Sequence, residues 1–180
     1  DLMFQVAMQD AAISPQKTRP ADHIKFDDNN ISRNNTVGIN GLNFENITFF
    51  NNELSGPESD GKIGTGIFKG KIFEINYDNK QLLIHDKMPD LSTYKPIAIE
   101  NKNEAFYIMV DSFIDGKFIP ESFYMQSGYA GTLLFSNPFT EKNQLENKLK
   151  VTSEQTLSNA AGQKMIAKRS EISELKVGEF

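Results

Sequence analysis

The chain has 180 residues, 38% of them apolar and 24% charged, which suits a soluble globular protein long enough to bury a core, as one domain or two small lobes. A net charge of -5, mixed along the chain, argues against a nucleic-acid binder, for which a basic patch is expected. The absence of cysteine excludes disulfides, thiolate metal sites and cysteine nucleophiles, and no apolar run approaches the roughly 18 residues of a membrane helix.

No signal peptide is visible, and the sequence opens abruptly inside a strand-like run over 2–7. Pro15 and Pro20 then bound a polar loop, and 25–36 is rich in turn residues. Residues 37–50 read as two strands joined at Asn40-Gly41, a dipeptide that tolerates positive φ. A polar loop over 51–62 carries Pro57 and Gly61. The clearest hairpin is predicted over 67–85. Ile72, Phe73, Ile75 and Tyr77 lead into Asp78-Asn79-Lys80, and Leu82-Leu83-Ile84 follows.

Lys87-Met88-Pro89-Asp90 lies in a connector over 86–95 and marks a lobe boundary, giving lobes 1–90 and 91–180. Beyond it, 97–99, 106–113 and 118–125 read as strands, the last two joined at Asp115-Gly116. Asn137-Pro138 reads as an N-cap with proline at the first helical position, and Phe139, Leu145 and Leu149 give a partial apolar face to a helix over 138–149. Strands at 164–168 and 175–177 close the chain, with Ala161-Gly162-Gln163 as a turn before the first. Strands at intervals of about ten residues, with turn signals between, predict a mostly β barrel or sandwich with one or two short helices.

Two segments look like copies of each other: Leu2-Met3-Phe4-Gln5-Val6-Ala7-Met8 and Phe123-Tyr124-Met125-Gln126-Ser127-Gly128-Tyr129. Each is an apolar strand running into a small-residue turn, followed by a second apolar stretch, Ala11-Ala12-Ile13 and Thr132-Leu133-Leu134-Phe135 respectively. A third segment, Asp60-Gly61-Lys62-Ile63-Gly64, follows Gln5 by 59 residues at its last glycine. Together these resemble the pepsin/retropepsin-type aspartic proteases, in the two-lobed bacterial form. The resemblance runs through most of the chain. It implies a retropepsin-like barrel in each lobe, with Gln5 and Gln126 in the positions of the catalytic aspartates. Val6, Ala7, Ser127, Gly128 and Tyr129 then line the groove, and Ile63 and Gly64 cross behind the first loop. Lys62 stands where the family usually has an apolar residue. The counterpart of Gly64 in the second lobe would fall beyond Phe180, so that lobe reads as incomplete.

In active members of that family two carboxyls share one proton, because like charges so close cannot both ionise, and together they deprotonate a water and protonate the leaving amine. Glutamine does not titrate and cannot share that proton. It is also one methylene longer than aspartate and would intrude on the water. Val6 lacks the hydroxyl of the family's Thr or Ser, and Ala7 adds a Cβ where glycine permits close approach.

Other signals carry less. Asp10 reads as a surface turn residue, although it is the acid nearest Gln5 in the sequence after it. His23 and His85 have no ligand spacing, so no metal site is expected, and no cofactor is implied. Gly64-Thr65-Gly66 with Gly70 is a loose match to a nucleotide loop, and Asp27-Asp28-Asn29-Asn30 lacks the alternation of a calcium loop. Asn34-Asn35-Thr36 and Asn46-Ile47-Thr48 match the N-glycosylation triplet, and the family's flap would lie within 25–45.

Two principal readings follow. In one the protein is a pseudoprotease that holds an extended peptide in its groove; in the other it is an active aspartic endopeptidase. A structural fragment with no ligand of its own is the third. The resemblance further implies a peptide or protein ligand and an extracytoplasmic bacterial location. The charge and the lack of a long apolar run predict no nucleic-acid partner and no membrane span, and the incomplete second lobe predicts a homodimer in which strands are shared.

Overall fold

The computed structural model describes residues 1–14, 17, 19, 23–51, 59–159 and 162–180. Pro15, Pro20 and Pro57 of the two expected loops, and Ala161 of the expected turn, lie outside the described residues. Strands dominate, and the helical content described is two short helices and a 3-10 turn. The chain divides into two compact units, Asp1–Pro96 and Ile97–Phe180.

The first unit contains β1 (Leu2–Gln5), β2 (Ala11–Ile13), β3 (Ile31–Ile39), β4 (Leu42–Phe50), β5 (Gly61–Gly64), β6 (Ile72–Asn76) and β7 (Gln81–His85). Five of these form one sheet in the order β1-β5-β2-β4-β3. The order is set by β5, which runs parallel to β1 and antiparallel to β2 and so separates two strands that are neighbours in sequence. Ala11 and Ala12 are fully buried on β2, where small side chains let strands pair closely on both sides.

The β3–β4 hairpin turns at Asn40 (φ 48°) and Gly41 (φ 81°), the pair of positive φ values a two-residue turn needs to match strand twist. Its register slips between Ser32 and Asn35 and again between Asn35 and Val37. Asn34 (φ 58°) and Asn46 (φ 60°) sit at these bulges in the left-handed region, and the Asn35 side-chain amide donates to the Ser32 and Ile47 carbonyls at 3.0 Å each. The asparagines of both triplets therefore serve a bulged ribbon, since Asn reaches that region more readily than other side chains.

Packed against this sheet is the β6–β7 hairpin, which contributes Phe73 and Ile84 to a core of Ala11, Ile13, Phe49, Ile63, Ile67 and Phe68. Phe68 is the hub. Its ring meets Phe4 at 5.6 Å, Phe44 at 5.8 Å and Phe73 at 5.4 Å.

Several expectations for this unit are corrected. Ile67 and Phe68 lie in a 3-10 turn (Thr65–Phe68), because the chain must swing away from the sheet after Gly64 to bring Phe68 under it. Gly61 and Lys62 belong to β5 rather than to a loop, and the turn-rich stretch ends at Asn30, with β3 beginning at Ile31. That stretch is closed by Asp27, whose carboxylate accepts from the Asn29 and Ile31 N–H groups at 2.9 and 3.0 Å and from Arg33 at 2.8 Å.

The second unit contains β8 (Ile99–Lys102), β9 (Ala105–Ile114), β10 (Lys117–Tyr124), β11 (Val151–Ser158), β12 (Lys164–Ser170) and β13 (Leu175–Lys176). β9 is central: β10 pairs along one side, while β8 and β13 share the other. β11 and β12 form a separate hairpin, and β11 was not anticipated because its Thr, Ser and Gln content hides its alternation. The expected strand at 97–99 begins only at Ile99, and Thr132-Leu133-Leu134-Phe135 is not a strand.

The expected single helix breaks in two at Gln144, which takes a left-handed φ of 53°, giving α1 (Asn137–Asn143) and α2 (Leu145–Lys148). Its N-cap is Ser136, not Asn137; the Ser136 hydroxyl accepts from the Phe139 N–H, which leaves Pro138 one place further in. Phe139 and Leu145 are nonetheless the buried residues, packed with Ile114, Ile119, Phe135 and Leu149.

Truncating the Phe68 hub to alanine should cost about 3–5 kcal/mol. The measurement is the urea midpoint of the variant, which should fall with an unchanged slope.

Candidate functional site

Gln5 ends β1 and is 8% exposed. It is in register with Gly64, as Phe4 is with Ile63. The chain then turns, the Met8 N–H donating to the Gln5 carbonyl at 3.3 Å, and re-enters the sheet as β2. What holds the loop is the chain that leaves β5. The N–H groups of Gly64, Thr65 and Gly66 donate to the carbonyls of Asp10, Met8 and Gln9 at 2.8, 2.8 and 2.9 Å. The Gln9 side-chain amide donates to the Thr65 hydroxyl at 3.0 Å, and that hydroxyl donates to the Met8 carbonyl at 3.2 Å.

So close an approach needs glycine. A Cβ on Gly64 would stand 2.3 Å from the Met8 carbonyl oxygen and 2.6 Å from that of Asp10. One on Gly66 would meet the Gln9 oxygen at 2.5 Å, and one on Gly61 the Ala12 oxygen at 2.2 Å. All these neighbours are backbone atoms. Gly64-Thr65-Gly66 is therefore a strap whose amides are committed to the loop, and its loose likeness to a nucleotide loop has this different cause. Thr65, Gly66 and Gln9 were missed as loop-holding residues. The signal available was the spacing of three glycines at 61, 64 and 66.

Val6 is buried and Ala7 half-buried beside Gln5. Lys62 is 8% exposed on β5, where strand alternation puts it on the face opposite Ile63. Asp10 is exposed.

In the second unit Gln126 follows β10 and is exposed. Its side-chain oxygen accepts from the Gly128 N–H at 2.9 Å, and its carbonyl accepts from the Tyr129 N–H at 3.3 Å. That backbone turn repeats the one from Gln5 to Met8, residue for residue and at the same length. No strand crosses behind this second loop among the described residues, where β10 pairs with β9 alone. Tyr129 lines a cavity of about 530 Å³ with Leu133, Leu145, Leu149 and Met165, and its ring lies over Gly131, where a Cβ would be 2.4 Å away.

The structure thus gathers Gln5, Val6, Ala7, Ile63 and Gly64 in one unit, and Gln126, Ser127, Gly128 and Tyr129 in the other. The two glutamine loops share a backbone turn of neutral amides and main-chain groups, with an aliphatic hydroxyl only at Ser127, a set that can accept and donate hydrogen bonds but offers no general base at Gln5 or Gln126. No family model, curated protein or solved structure matches the chain.

Gly64→Ala should destabilise the first unit by about 3 kcal/mol, the upper end for overpacking, because backbone carbonyls cannot step aside as side chains do. Gly38→Ala, whose Cβ would make an ordinary 3.4 Å contact with Asn43, should stay within about 0.5 kcal/mol. Chemical denaturation of both variants checks the pair.

Proposed function

We propose that this chain is a pseudoprotease, a protein of aspartic-protease type that has exchanged both catalytic carboxyls for amides and serves to bind extended peptides. The observation that carries the reading is the β1-β5-β2 arrangement. A glycine-containing strand that ends 59 residues downstream of Gln5 lies between the two arms of its loop, and the loop is held by three consecutive N–H groups from the end of that strand and the 3-10 turn after it. The matching turn at Gln126 supports it further, since two loops of the same sequence pattern bend in the same way.

On this reading the chemistry is absent for a simple reason. Peptide hydrolysis by this route needs one protonated and one ionised carboxyl at the same time, and two amides supply neither. Binding does not need them. An extended peptide is held by main-chain hydrogen bonds and side-chain pockets, and amides can contribute to such a ladder.

The purified protein should leave denatured casein intact from about pH 3 to about pH 8, a span that takes in the acid range in which a carboxyl dyad shares its proton. It should bind members of an extended-peptide library in a fluorescence anisotropy assay. Pepstatin-sensitive cleavage by the unaltered protein would establish the active-endopeptidase reading instead. Absence of both cleavage and binding would leave the fragment reading. The double substitution Gln5→Asp with Gln126→Asp should introduce cleavage confined to acid pH.

A further inference from the structure

Outside the glutamine loops, the β6–β7 hairpin carries a cluster that the proposed function does not use. Glu74 on β6 has both carboxylate oxygens engaged. Tyr94 donates its hydroxyl to Oε1 at 2.8 Å, and His85 on β7 places Nε2 3.2 Å from Oε2. Glu74 and His85 are not direct cross-strand partners: Glu74 is in register with Leu83, and His85 with Ile72. The contact is a diagonal one along a single face of the ribbon.

Tyr94 does not belong to the hairpin. It lies in the connector that leaves β7, a stretch without regular structure whose further bonds are local. The Ser92 N–H donates to Asp90 and the Tyr94 N–H to the Leu91 carbonyl, each at 2.9 Å. These bonds shape a small turn over 90–94. The Tyr94 hydroxyl ties that turn back to β6, twenty residues upstream.

We propose that Glu74 is the catch of an acid-released latch, which holds the connector against the first unit at neutral pH and frees it on acidification. A carboxylate accepts from both neighbours at once; a carboxylic acid carries no charge, holds a proton on one oxygen and is a poorer acceptor for both. The groups facing it are Tyr94 from the connector and His85 from β7. The next pair along, Lys71 with Asp86, is matched within itself at the open end of the hairpin.

The hydrogen bond from Tyr94, then that from His85, hold the Glu74 carboxyl below its ordinary value of 4.5. The same bond raises the Tyr94 phenol. A carboxyl whose folded pKa is depressed contributes stability that is present above the unfolded value and is lost as pH falls through the folded one. The latch is therefore shut at neutral pH and opens below the usual glutamate range. When it opens, the turn over 90–94 loses its tie to β6.

Backbone ¹⁵N relaxation of the whole chain tests the proposal. At pH 7 the amides of Leu91, Ser92 and Tyr94 should have order parameters near those of a rigid backbone, about 0.8, and at acid pH they should fall below about 0.6 while β6 and β7 stay rigid. Tyr94→Phe, at an exposed side chain, should give the low values at both pH values, and Glu74→Gln should abolish the pH dependence. Unchanged order in the wild type at acid pH overturns the latch, and so does wild-type order at pH 7 in Tyr94→Phe.

Discussion

The first unit depends on one close approach of backbone to backbone, where the chain leaving β5 donates three successive N–H groups into a loop fifty-odd residues earlier. Each such bond contributes only about 0.5–1.5 kcal/mol net. Their consequence is larger than their sum, because they fix where β5 can lie. With the strap made, β5 must run between β1 and β2. Ile63 then points into the core, and the 3-10 turn that follows swings Phe68 under the sheet to meet Phe4, Phe44 and Phe73. The hydrophobic core and the Gln5 loop are thus two sides of one crossing.

That crossing holds the loop through the carbonyls of Met8, Gln9 and Asp10, through Thr65 and through glycines. At Gln126 the side-chain oxygen receives the Gly128 amide, so the side chain is a working part of the turn. The amide oxygen accepts there as a carboxylate oxygen would, without carrying a charge.

Legibility in the sequence followed the same physical division. Turns that require positive φ were readable at Asn40-Gly41 and Asp115-Gly116, because few residues tolerate that region and the chain advertises them. The aromatic and β-branched runs of β6 and β9 were readable for the same kind of reason. What escaped was decided by partners. β11 is polar along most of its length and becomes a strand because β12 pairs with it. Thr132-Leu133-Leu134-Phe135 has strand composition but no partner strand, and its apolar side chains line a cavity and a helical core instead. The Asn137-Pro138 signal placed the helix start within a residue, and the break at Gln144 was invisible because glutamine is an ordinary helix former. At the site, Gln5 and Gly64 were legible as a pair from motif spacing, whereas Gln9 and Thr65 had no pattern to mark them.

Glutamine has a physical logic at the buried position 5. A lone carboxylate at a position 8% exposed would be penalised by desolvation, and its pKa would rise until it was neutral or found a partner. A neutral amide of similar polarity can hydrogen-bond in the same place without that penalty. At the exposed position 126 water would stabilise a carboxylate as readily as it solvates an amide, so burial gives glutamine no advantage there. The amide at Gln126 is accounted for instead by its own turn, where its oxygen accepts the Gly128 N–H.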